Sequence, residues 1–141
     1  MLAKILISIS LGVGGFVPPT SITKHDMPET VEIPDSALCP QWWQTAVDAG
    51  WRQSLLPTLD YLMWRESRCD PSQHNTDDPM GGSRGLVQIN GFWTPWLASK
   101  GIVKRSEGLF GPQRNLRAAL AIYNYADARY ENGFGPWAIK N

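Results

Sequence analysis

Charge of one sign is missing from this chain. Thirteen Lys and Arg balance thirteen Asp and Glu, the formal net charge is +0, and only 18% of residues are charged. A nucleic-acid binder driven by phosphate attraction draws on an excess of cations, so nothing in the net charge suggests that class. Runs of like charge and internal repeats are also absent. Histidine is confined to His25 and His74. One histidine beside Asp77 and Asp78 on a flexible polar loop supplies too few fixed ligands, so no metal or other cofactor is expected. His25 falls in a linker and reads as inert.

Long apolar runs are scarce as well. Ile5 to Val17 is apolar over thirteen residues, short of the about 20 that span a bilayer. With Lys4 ahead of it, the run reads as an export signal, but Pro18-Pro19-Thr20-Ser21 follows in place of a clear cleavage site. A cleaved leader, a short anchor and the buried start of a virion protein all stay open. The expected division is a leader or anchor over 1–22, a Pro-rich linker over 23–38 and one domain over 39–141.

Cysteine is limited to Cys39 and Cys69. In an exported chain such a pair reads as a disulfide. The bridge would close a loop of about 30 residues and contribute roughly 3.6 kcal/mol by chain entropy. It would also pin the end of the helix that precedes Cys69.

What the chain has in abundance is tryptophan, seven in all. So many large rings imply an aromatic core, a groove lined with flat apolar faces, or both. Sugars present flat C–H faces, so such a groove would suit a glycan. Alternating strand patterns of any length are absent, and the folded part reads as helical. Helices are expected over Trp42–Ala49, about Ser54–Arg68, Trp93–Ser99 and about Asn115–Tyr130, the last with Leu116, Ala119, Leu120, Tyr123, Asp127 and Tyr130 inward. The fold class is therefore mainly α, with at most a minor β-hairpin in the 74–90 loop.

On the second helix, Leu59, Leu62 and Met63 form the apolar stripe, and Glu66 lies three, four and seven residues beyond them. Arg65 and Arg68 point the other way. A carboxyl against an apolar wall loses hydration, which favours the protonated form that a general acid needs. A boundary residue or half of an ion pair is the plainer alternative.

Three segments, in order, carry a resemblance. Glu66-Ser67-Arg68-Cys69-Asp70-Pro71 is the first, and Gly82-Ser83-Arg84-Gly85-Leu86-Val87-Gln88-Ile89 the second. The third is Gly111-Pro112-Gln113-Arg114-Asn115-Leu116 with Ala118 to Asn124. Together they resemble the soluble-type lytic transglycosylase catalytic domain, a branch of the lysozyme-like superfamily, over about residues 39–141. The resemblance implies cleavage of the β-1,4 bond between N-acetylmuramic acid and N-acetylglucosamine in peptidoglycan, with 1,6-anhydro ends. It implies Glu66 as sole acid and base, and Gln88 and Tyr123 as substrate-binding residues with Ser83 and Asn124 beside them. Ser67 would bond back to its own helix. Val87 replaces a usual methionine, Ser83 an alanine, and Tyr125-Ala126-Asp127 follows where Ala-Gly is usual. A hydrolytic muramidase, with Asp70, Asp77 or Asp78 as second carboxylate, and a non-catalytic glycan-binding module are the rivals. The expected partner is peptidoglycan alone, met by a monomer outside the cytoplasm.

Overall fold

The computed structural model describes residues 14–15 and 30–140. Apart from Gly14 and Gly15, the expected leader over 1–22 lies outside these, as does the linker before residue 30. From Val31 the expected linker belongs to the fold. Val31 is buried in the core, and the Leu38 amide donates to Asp60 Oδ2 (2.7 Å).

Four helices follow among the described residues: α1 (Trp43–Asp48), α2 (Leu56–Ser67), α3 (Thr94–Ser99) and α4 (Pro112–Tyr130). Short 3-10 turns precede each one, and a further turn, Gly135–Trp137, closes the chain. Between α2 and α3 lies a small antiparallel sheet of β1 (His74–Asn75), β2 (Ser83–Arg84) and β3 (Ile89–Asn90), in spatial order β1-β2-β3. The mainly α class with a minor hairpin is the observed one. Among the described residues no helix is long and apolar enough to cross a membrane.

One core joins these parts. Leu56, Leu59, Leu62 and Met63 of α2 meet Leu116, Ala119 and Ile122 of α4 in a cluster that takes in Trp43, Trp51, Leu86, Val87 and Trp137. Three tryptophans therefore serve the core, and Trp51 Nε1 also donates to Leu116 O (2.9 Å).

The inward face of α4 is turned from the expected one. Asn115, Leu116, Ala118, Ala119, Ile122 and Ala126 are buried, whereas Asp127 and Tyr130 are exposed. Alanines let neighbouring backbone approach closely, so the small side chains face the core and the bulky Tyr123 and Tyr125 move to its flanks. The helix also starts three residues early, at Pro112, whose fixed φ suits a first turn.

The end of α2 is strained. Arg68 (φ 55°) and Cys69 (φ 65°) are consecutive non-glycine residues in the left-handed region, each costing about 1–3 kcal/mol unless the surroundings enforce it. Here they do. Cys69 is bridged to Cys39 with Cα atoms 5.5 Å apart, and Trp42 Nε1 donates to Cys69 O (2.8 Å). The expected disulfide thus fixes the turn that immediately follows Glu66.

Candidate active site

Glu66 sits in the last turn of α2 with its side chain 25% exposed. The apolar enclosure expected around it is not what the structure shows. Arg65, expected on the opposite face, curls back and donates Nε (2.9 Å) and Nη2 (2.6 Å) to Glu66 Oε1. A long side chain on the adjacent residue reaches across a helix face that periodicity alone would separate. Oε2 accepts no hydrogen bond among the described residues and remains available.

Four further bonds hold the residues around this carboxyl. Ser67 Oγ donates to Met63 O (3.0 Å), the expected return to its own helix, and also to Leu86 O (2.8 Å). Arg65 Nη2 donates to the carbonyl of Trp137, and Trp137 Nε1 donates to Val87 O (2.8 Å). The end of α2, the 86–88 segment and the closing turn therefore meet at Glu66.

Gln88 stands on that segment with φ 47°. Its Nε2 donates to Gly85 O and Gln73 O, both at 3.0 Å. The amide nitrogen is thereby spent on shaping the loop, and Oε1 is the end left for a ligand. Gln88 and Trp137 wall a small cavity of about 70 Å³. Trp93 and Pro136 are shared between this cavity and a larger groove of about 680 Å³ lined by Phe92, Tyr125 and Tyr130. Trp93, Trp96 and Tyr125 pack edge to face, with centroids 5.5 to 5.9 Å apart. The tryptophan excess is divided between core and groove, as the composition implied.

The remaining expected residues fall elsewhere. The Tyr123 ring packs on Phe134 (4.8 Å) and Trp51 (5.4 Å), and no hydrogen bond joins its hydroxyl to Glu66. A Cβ on Gly133 would stand 2.2 Å from that ring, which explains the glycine. Asn124 is exposed on α4. Ser83 is buried in β2, and its Oγ accepts from Asn90 Nδ2 (3.3 Å). Asp70 accepts from Ser72 Oγ (2.7 Å), Gln73 Nε2 (2.8 Å) and Ser72 N (2.8 Å), bonds that lower its pKa and close a turn. His74 Nε2 lies 3.3 Å from Gly81 O. Among the described residues no three His, Cys, Asp or Glu side chains group as metal ligands.

Three residues have supporting roles that the sequence reading did not assign. Asn115 is fully buried, accepts from Val87 N (3.2 Å), and donates to Arg84 O (3.0 Å) and Leu109 O (2.9 Å). The neighbouring Gly85 (φ 82°) has no room for a Cβ, which would lie 2.2 Å from Asn115 Nδ2. Asp60, buried on α2, accepts from Cys39 N and Trp43 Nε1, both at 2.8 Å, besides Leu38 N. Arg84 is buried over the Phe110 ring (5.8 Å) with Nε and Nη1 unpartnered among the described residues.

This arrangement has a counterpart among known families. Residues 43–138 match the lysozyme-like domain family. The chain belongs to that family. No curated protein and no solved structure is significantly similar to it. The matched span covers most of the chain and includes all four helices, the sheet and the closing turn. Membership in the lysozyme-like family makes peptidoglycan the material on which this domain acts, in the broad class of glycosidases and transglycosylases. A disulfide fits work outside the cytoplasm, where thiols oxidise.

Proposed function

We propose that this lysozyme-like domain cleaves the β-1,4 bond between N-acetylmuramic acid and N-acetylglucosamine with Glu66 as its single acid and base, leaving 1,6-anhydromuramic ends. One observation carries the reading. Glu66 is linked through Arg65 to Trp137, and Trp137 with Gln88 walls a small cavity that shares Trp93 and Pro136 with the aromatic groove.

Arg65 can only donate, and both its bonds go to Oε1, so Oε2 is the oxygen that carries the proton in the acid step. It passes that proton to the glycosidic oxygen as the C1–O bond breaks, while the muramoyl N-acetyl oxygen supports C1. The resulting carboxylate, steadied by Arg65, takes the C6 hydroxyl proton. O6 closes on C1, and no water is consumed. Proton transfer of this kind contributes about 10²–10⁴-fold. Trp93 and Tyr125 offer flat faces to the sugars flanking the scissile bond, and Gln88 Oε1 accepts from a hydroxyl or from the N-acetyl N–H. Ser83 contributes by bonding to Asn90 within the sheet and Tyr123 by packing on Phe134 and Trp51, whereas Asn124 stays exposed on α4. Export through the N-terminal segment would deliver the domain to its substrate.

Digestion of purified sacculi, followed by mass spectrometry, tests the proposal. Fragments one water lighter than reducing muropeptides, and resistant to borohydride, are expected. Reducible ends would replace the transglycosylase by a hydrolytic muramidase. Glu66→Gln should abolish turnover while leaving the circular dichroism spectrum and glycan binding intact. Turnover by that variant would remove Glu66 from the mechanism, and wild-type binding without turnover would leave a glycan-binding module.

A further inference from the structure

A second concavity, of about 810 Å³, lies between the end of α3, the 101–108 segment and the first turns of α4. Its character is unlike that of the aromatic groove. Lys104, Arg105, Arg114 and Arg117 line it against a single carboxylate, Glu107. All four cations are exposed, and none is ion-paired among the described residues, where Arg65–Glu66 is the pair observed.

The chain is neutral as a whole, yet this face is not. Glu107 is the sole acid between Asp78 and Asp127, a stretch that holds Arg84, Lys100, Lys104, Arg105, Arg114 and Arg117. Helix stability does not account for the placement. The first turn of α4 carries no acidic residue, and Arg114 adds its charge where the helix dipole is already positive. At spacing i, i+3 the two arginines lie side by side on one helix face, about 5–6 Å apart at Cβ. Two guanidinium groups on one face can reach neighbouring phosphodiester oxygens of a polyol-phosphate chain. Guanidinium groups bind such oxygens through paired donors.

We propose that this groove binds a phosphodiester-linked polyanion of the cell wall. The polymer is held on the α3–α4 face while the glycan occupies the aromatic groove. The cellular setting rests on the peptidoglycan reading above; the binding itself does not.

The probe is poly(glycerol phosphate), titrated calorimetrically against the full chain at low and at physiological salt. Saturable binding that weakens with salt is expected. The double variant Arg114→Gln, Arg117→Gln should bind about tenfold more weakly, with an unchanged circular dichroism spectrum and unchanged turnover of phosphate-free sacculi. Glu66→Gln should bind the polymer as wild type does, so loss of the catalytic reading leaves this result legible. Equal affinity of the double variant, or no binding at low salt, overturns the proposal. Arginine-dependent binding to phosphatidylglycerol vesicles in the absence of polymer binding overturns it in favour of a membrane surface.

Discussion

Asn115→Leu removes three hydrogen bonds while nearly conserving volume, so its cost isolates what this residue holds. In the native domain Asn115 is fully buried and satisfies Val87 N, Arg84 O and Leu109 O. Leucine leaves all three backbone groups without that partner, in a place water does not reach. Each orphaned group costs about 1–3 kcal/mol, which sums to about 3–6 kcal/mol after partial relaxation. A domain of this size is stable by only about 5–15 kcal/mol, so the loss is a large fraction of the total. Urea denaturation followed by tryptophan fluorescence should show a much lower midpoint with an unchanged slope. Asn124→Leu is the internal control, because the same residue type on the same helix is exposed there. It should change stability by no more than about 0.5 kcal/mol. A cost below about 1 kcal/mol for Asn115→Leu, or one equal to the control, would refute the view that this amide holds the 84–88 segment against α4.

Replacing Cys39 and Cys69 together by serine should cost about 3–4 kcal/mol in thermal or urea unfolding, and a fully stable double variant would show that the αL turn at Arg68–Cys69 holds without its bridge. Asp70 supplies a pH signature. The Ser72 hydroxyl, then Gln73 and the Ser72 amide, hold its pKa below the ordinary 3.8. A folded value below the unfolded one stabilises at pH above the unfolded value, and that stabilisation disappears as pH falls through the lowered one. The stability difference between wild type and Asp70→Asn should therefore be constant above about pH 5 and shrink below about pH 4. A difference that persists into strong acid would assign the turn's stability to something other than this carboxylate.

Legibility followed the range of the interaction. Helix types and order were readable from 3.6-residue periodicity, because each depends on neighbours three and four positions away. The start of α4 was missed because Pro112, Gln113 and Arg114 contribute no apolar period, only a proline suited to a first turn. Glu66 was located by its spacing from Leu59, Leu62 and Met63, yet its environment was not. Whether a neighbouring arginine turns toward a carboxyl depends on what anchors its far end, here a carbonyl of Trp137, 72 positions away. The roles of Asp60 and Asn115 escaped for the same reason. Their partners are chiefly backbone groups, which every sequence carries and no motif displays.

The corner around Glu66 is held from three directions. Cys39 and Trp42 fix Cys69, Leu86 O receives Ser67, and Trp137 O receives Arg65. Each of these tethers also stabilises the fold, so breaking any one of them alters the site and the stability together. The Glu66 carboxyl differs. Its one hydrogen-bond partner among the described residues is Arg65, its sequence neighbour, and neither oxygen bonds to the core. Conversion to the isosteric amide therefore removes the transferable proton while leaving the tethers whole. Loss of turnover at unchanged stability is interpretable at this position, and at none of the residues that hold it in place.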